Sequence, residues 1–296
     1  MQTRRVIVPV ATFWTSKDAP REIDALALKG DVKGWVAQMT TEQTIDLCDA
    51  KRLETQALFN DEVILDHVEG SWARAFITSQ SDDSDARGYA GWVPAASLSD
   101  AEVSYPTTTA RVHVAQPTTT LYDQHKQPIF DVTMGTEFTE LANEGEWLKV
   151  ATPFGEGYIQ KMSIIVTADG TTTGDQMVSM AKQFLGLRYL WAGISPYGFD
   201  CSGLMYTLHR VMGFLIPRDA DDQSVNGQPI APEELQPGDL LFYADEHGKG
   251  FVHHVGMYVG NGQMIQSRTP GKQVDIAKLT EMRYAPEYVG ARRYWR

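Results

Sequence analysis

Cysteine is nearly absent from this chain: Cys48 and Cys201 are the 2 in 296 residues. Two cysteines cannot build the disulfide framework that staples small secreted domains, so apolar cores must hold the fold, and a hydrophobic fraction of 43% is enough for that. Basic residues are outnumbered, with 26 Lys plus Arg against 38 Asp plus Glu, and the net charge of -12 weighs against nucleic acid and anionic surfaces as partners. No stretch approaches the ~20 apolar residues of a membrane span. Metal-ligand spacings of Cys and His and glycine-rich phosphate loops are both missing, so no metal or other cofactor is expected. After Arg4-Arg5, the apolar run from Val6 to Phe13 is interrupted by Pro9. It is short for a signal-peptide core and lacks a clear small-residue cleavage site. With Met1 as the true start, the expected location is the cytoplasm.

What is present centres on Phe199-Asp200-Cys201-Ser202-Gly203-Leu204. Leu204, Leu208, Val211 and Met212 recur at helical spacing, with Asp200 as N-cap and Gly213 just past the end. Cys201 then lies in the first turn, where the helix end and unpaired backbone N–H groups are expected to lower a thiol pKa. A small buried residue is the other reading of an unpaired cysteine. Downstream, His253 to Val259 alternates as a half-buried strand running into Gly260-Asn261-Gly262. An imidazole there could serve as general base for the thiol. His254 shares a face with Gly256 and Tyr258, whereas His253 shares one with Val255 and Met257, which the core should claim.

Five blocks in one order make the segment from about Met177 to Met264 resemble the NlpC/P60 family of papain-like cysteine peptidases, which cut bacterial cell-wall peptides. They are Leu185 to Gly193 (LGLRYLWAG), Asp200 to Leu204 (DCSGL), Pro217 to Ala220 with Gln223, Leu235 to Phe242 (LQPGDLLF) and His254 to Gly260 (HVGMYVG). The resemblance implies an α+β fold with Cys201 as nucleophile and His254 as base. It also implies that Tyr189 and Trp191 line the pocket beside the thiol. The backbone N–H of Cys201 is one expected oxyanion donor; Ser202 and Tyr189 are both candidates for the second donor.

The chain departs from the family pattern at the third catalytic position, where Gln266 stands in place of a histidine. An amide oxygen can accept the second imidazole N–H, as the asparagine of papain-like enzymes does. For Gln266 to share a face with His254, paired residue numbers must sum to an even value, as in Gly256 with Gln266. That predicts a three-residue Gly260-Asn261-Gly262 loop with a left-handed glycine, not a two-residue Asn261-Gly262 turn. Lesser departures are Arg188, where proline is frequent, and Ala192, where glycine is frequent.

The first 168 residues carry a weak repeat. Glu69 to Ala75 followed by Gly91 to Pro94 echoes Glu144 to Val150 followed by Gly157 to Gln160. Each unit reads as short strands with an aromatic anchor, and the pair resembles bacterial SH3-type domains. The expected organisation is multidomain: SH3-like β-barrels over 1–105 and 106–168, then the papain-like catalytic domain over 169–296. The first barrel should carry a helical insert near Asp31 to Leu53, with Cys48 as a structural residue. An acidic loop, Ser79 to Asp85, should be solvated and mobile. Pro106 with Thr107 to Thr109, and Asp169 to Gly174, mark the boundaries.

Ala11 to Thr15, Pro20 to Asp24 and Leu53 to Leu58 extend the resemblance to γ-D-glutamyl-L-diamino acid endopeptidases of murein peptide recycling. It implies that Glu54 and Tyr89, with Asp219, hold the free amine of an N-terminal L-alanine. The expected substrates are therefore murein peptides of the form L-Ala-γ-D-Glu-diamino acid, with lysine and diaminopimelate both open. Competing readings are an exported wall hydrolase with anchoring domains and a non-catalytic murein-peptide binder.

Overall fold

The computed structural model describes residues 2–82, 84–106, 110–166 and 173–295. In the first barrel, β1 (Gln2–Arg5), β2 (Val10–Trp14), β3 (Leu53–Leu58), β4 (Glu62–Glu69), β5 (Trp72–Ile77) and β6 (Tyr89–Pro94) form one sheet in the order β1-β4-β5-β6-β2-β3. The helical insert sits between β2 and β3. It starts earlier than expected, with a 3-10 helix at Glu22–Lys29, followed by α1 (Val32–Gln38) and α2 (Thr41–Asp49). Asp31 and Thr40 supply side-chain N-caps to α1 and α2.

The second barrel comprises β7 (Arg111–Val114), β8 (Thr118–Tyr122), β9 (Pro128–Thr133), β10 (Glu137–Glu144), β11 (Trp147–Thr152), β12 (Gly155–Gln160) and β13 (Ile164–Val166). The sequence repeat is a structural one. β4-β5-β6 matches β10-β11-β12, each led by a hairpin whose turn glycine, Gly70 or Gly145, takes a positive φ of 62° or 67°. Thr107 to Thr109, Asp83 and most of the Asp169 to Gly174 boundary lie outside the described residues.

The catalytic portion begins with α3 (Gly174–Lys182), then the short β14 (Ile194–Ser195) and β15 (Gly198–Phe199), then α4 (Cys201–Val211) and α5 (Ala220–Val225). The remaining strands are β16 (Gln228–Ile230), β17 (Leu240–Ala244), β18 (Val252–Gly260), β19 (Gln263–Ser267), β20 (Val274–Lys278) and β21 (Tyr288–Arg293). They form an antiparallel sheet in the order β16-β21-β17-β18-β19-β20. Apolar residues of α3 and α4 pack on Leu240, Phe242, Val255, Met257 and Ile265 of this sheet. The same core continues without a break into Trp14, Trp35 and Leu58 of the first barrel and Met134 of the second.

Candidate active site

The nucleophile helix forms as its sequence dictates. The Asp200 carboxylate accepts from the Gly203 N–H at 2.6 Å, Leu204, Leu208 and Val211 are fully buried, and Gly213 leaves the helix with φ 82°. Gly203 is glycine of necessity, because a Cβ there would lie 2.1 Å from the Gly193 carbonyl oxygen. Ala192, next to Gly193 in the chain, sits at φ 63°, the left-handed region, which is the physical reason for glycine being frequent at this position of the motif.

Opposite the helix end, β18 and β19 bring His254 and Gln266 together. Met257 pairs with Ile265 and Tyr258 with Met264, both sums even as required. The turn, however, is not the expected three-residue loop. Asn261 and Gly262, at φ 54° and 66°, form a two-residue turn closed by Gly260 and Gln263, and a bulge between Tyr258 and Gly260 corrects the register by one residue.

Gln266 Oε1 lies 2.7 Å from His254 Nε2. It also accepts from the Tyr284 hydroxyl, while Gln266 Nε2 donates to Asp275 Oδ1 at 3.0 Å. Asp275 thus fixes which way the amide points: with its nitrogen committed, the oxygen faces the imidazole and holds the proton on Nε2. Nδ1 is left as the basic nitrogen. Neither Asp275 nor Tyr284 was singled out from the sequence; a carboxylate directly paired with Gln266 across β19 and β20 is the signal that could have found the first.

His253 occupies a place other than alternation predicts. His254 is buried, and His253, expected to join the core face, is exposed and paired with Glu287 at 2.9 Å. The reason is a second bulge: Tyr243 pairs with His254 and Ala244 with Val252, which leaves His253 as the extra residue and releases it from the pleat.

The expected lowering of the Cys201 thiol is not found in the resting site. Burial, then the Asp200 carboxylate, push it up to about 12, against the opposing Val255 and Ser202 backbone N–H groups. A helix end supplies roughly 0.3–1 kcal/mol, whereas desolvation shifts a buried group by up to 3–5 pK units at about 1.4 kcal/mol each. Desolvation therefore wins. Burial likewise holds His254 down to about 4. The pair rests as neutral thiol and neutral imidazole, an arrangement suited to proton transfer as the sulfur attacks.

Both groups line a cavity of about 360 Å³ together with Tyr189, Trp191, Tyr284 and Cys48. Cys48 of α2 is partly exposed and also lines the catalytic cleft. Tyr189 lies near enough to Cys201 for the thiol to influence its hydroxyl, and Trp191 donates to the Leu53 carbonyl at 3.2 Å. Ser202 is less available than expected. Its hydroxyl is held by Arg218 at 2.9 Å and by Asp200 at 3.3 Å, so its offer to the site is its backbone N–H.

Arg218 ties this centre to the first barrel. Fully buried, it grips Asp200 at 2.6 Å and Ser202, and its Nε donates to Thr55 of β3 at 3.1 Å. On either side of that contact stand Glu54 and Asp219. The Tyr89 hydroxyl donates to Asp219 Oδ2 at 2.7 Å. Burial, then Asp219, raises the Glu54 pKa, and burial raises that of Asp219 despite Arg218. Two carboxyls from different domains, both raised by burial and Glu54 further by the charge of Asp219, form a site that a cation would relieve.

The Ser79 to Asp85 loop is only partly the solvated segment expected. Gln80 is fully buried against Thr55 and Gln56, and the Ser79 carbonyl accepts from Tyr206 of α4. Arg188, the other departure from the motif, donates to the Val36 and Met39 carbonyls and to Thr44, clamping α1 and α2 onto the catalytic domain.

A family model for NlpC/P60 matches residues 186–293, and one for the YKFC SH3b2 domain matches residues 114–166. A γ-D-glutamyl-L-lysine dipeptidyl-peptidase of Bacillus subtilis (strain 168) is 37% identical over 291 residues, 97% of this chain and 97% of its own length. This chain belongs to the NlpC/P60 family. It is a cysteine peptidase, with bacterial SH3-type barrels ahead of its α+β catalytic domain. A Bacillus cereus (strain ATCC 10987) protein of the same name is also 37% identical, over 97% of this chain and 89% of its own. The crystal structure of an NlpC/P60 family protein from that strain superposes with a TM-score of 0.91 at 35% identity, covering 99% of this chain and 100% of the other.

Proposed function

We propose that this peptidase removes L-Ala-γ-D-Glu from murein peptides with a free N-terminal L-alanine, cutting before the diamino acid during cell-wall peptide recycling in the cytoplasm. The observation that carries the reading is the Glu54, Tyr89 and Asp219 cluster, two carboxyls and a hydroxyl converging one residue from Arg218 and Thr55. A desolvated ammonium needs such partners, and a cleft that ends against Glu54 and Tyr89 of the first barrel would exclude longer or glycan-linked chains. The names of the two Bacillus relatives support the same bond.

In this reading His254 Nδ1 takes the Cys201 proton as the sulfur attacks the γ-carbonyl carbon of D-glutamate. The resulting oxyanion meets the Cys201 backbone N–H and a second donor, for which the Tyr189 hydroxyl is the better placed side chain. The imidazolium then protonates the departing amine of the diamino acid as the C–N bond breaks. Water, deprotonated by His254, attacks the thioester and releases L-Ala-γ-D-Glu and free Cys201.

The test is incubation of the purified chain with L-Ala-γ-D-Glu-diamino acid peptides, free or N-acetylated, with L-Ala-γ-D-Glu followed by mass spectrometry. Free peptides should yield the dipeptide and acetylated ones should be cut far more slowly. Equal rates would defeat the recycling assignment and favour a wall hydrolase. Cell fractionation tests the cytoplasmic location.

A further inference from the structure

Arginines in this acidic protein are mostly spoken for: Arg5, Arg21, Arg52, Arg87, Arg111, Arg210, Arg218 and Arg293 all pair with carboxylates. Among the described residues, Arg268 and Arg283 are the two arginines with no hydrogen-bond, ion-pair or aromatic partner, and both line the cavity that holds Cys201 and His254. That is an unusual place for two unpaired guanidiniums in a chain of net charge -12. Arg268 follows β19 and stands close enough to His254 and Tyr284 for its charge to act on both. The same cavity is lined by His253, which joins Glu287 at 2.9 Å and Asp245 at 3.8 Å, so it also carries acidic groups. Its lining includes none of Glu54, Tyr89 and Asp219, so it is separate from the amine cluster.

We infer that this cavity receives the leaving diamino acid and that Arg268 and Arg283 together bind its side-chain carboxylate, so that the enzyme favours meso-diaminopimelate over lysine. The inference rests on the function proposed above. Both diamino acids carry a side-chain ammonium suited to Asp245 and Glu287. Only diaminopimelate adds a carboxylate at that end, and planar guanidiniums in a partly dry cleft are the side chains that hold carboxylates best. A lysine-directed pocket would gain nothing from a second cation near its ammonium.

The test measures kcat/KM of the full chain on three tripeptides, L-Ala-γ-D-Glu followed by meso-diaminopimelate, by its side-chain-amidated form, or by L-lysine. The diaminopimelate peptide should be preferred by about tenfold or more, as one charge-assisted contact allows, with the amidated and lysine peptides close to each other. Arg268→Gln and Arg283→Gln should each shrink that preference. The ratio is read, not the rate, because Arg268 also stands beside His254. Equal kcat/KM on all three peptides, or a preference unchanged in both variants, would overturn the inference. Absence of L-Ala-γ-D-Glu from every peptide would instead overturn the function beneath it, and this inference with it.

Discussion

Gln266 can hold His254 only while its amide nitrogen is turned away, and Asp275 is what turns it. Gln266→Ala should therefore lower kcat by about 10- to 100-fold with little change in stability, and Gln266→His should keep substantial activity by supplying another acceptor. An unchanged kcat in the alanine variant would assign the orienting role elsewhere. The pH profile follows from the same pair. Imidazole acts as base only when neutral, and burial holds His254 at about 4, so kcat/KM should fall on the acid side near pH 4 and not near 6.5. On the alkaline side the thiol, at about 12, stays protonated until the imidazole takes its proton. The limb there should track the substrate's own α-amine, near pH 8, as the ammonium that Glu54 and Asp219 would hold is lost. An acid limb near 6.5 would mean that His254 is far better solvated than its packing indicates.

Secondary-structure elements explain both what the sequence made legible and what it hid. α4 and the β18–β19 hairpin were readable because each obeys one period: Leu204, Leu208 and Val211 at helical spacing, and Met257 and Ile265 across from each other on the core face. Bulges break the period. One moved His253 out of the core and another let an Asn-Gly turn serve a register expected of a longer loop, and neither leaves a mark in the residues themselves. The Ser79-Gln80 segment departs from expectation for a different reason, since its partners are distant in sequence: Tyr206 in another domain, and Thr55 and Gln56 on β3. α4 also carries His209, fully buried with Nδ1 bonded to the Met205 carbonyl and held down to about 4. His209 and His254 both have folded pKa values below the unfolded 6.5. Between about pH 6.5 and 4 the unfolded chain binds more protons, and stability should fall as pH falls through that window. Denaturant titrations at pH 7 and 4.5 measure it, and His209→Leu should flatten the slope; an unaltered slope would put the acid sensitivity elsewhere.

Across the whole molecule, the catalytic domain shares its main core with the first barrel, because one apolar cluster runs from Trp14 and Trp35 to α4 and β18, while a smaller one around Leu241, Tyr243 and Met264 belongs to the catalytic domain alone. Arg210 of α4 and Asp61 of the first barrel form an ion pair in which both side chains are almost wholly buried. Asp61→Ala should cost roughly 3–5 kcal/mol by stranding that cation, and heat or denaturant should still unfold the protein in one transition. Separate transitions for barrel and peptidase would contradict the shared core. The same coupling gives specificity a whole-molecule origin, since Glu54 and Tyr89 come from one domain and Asp219 from another. Removing a carboxylate from a buried ammonium costs roughly 2–5 kcal/mol, so Glu54→Ala should sharply reduce kcat/KM on peptides with a free N-terminal L-alanine. Acetylating the alanine should do the same to the unaltered enzyme. Together the two changes should cost little more than either alone, because a neutral amide leaves Glu54 nothing to hold. Tyr89→Phe should lose less, as a hydroxyl that only completes the hydrogen bonding around Asp219. Fully additive losses from Glu54→Ala and acetylation would mean that the glutamate acts on something other than the amine, and would separate the first barrel from substrate recognition.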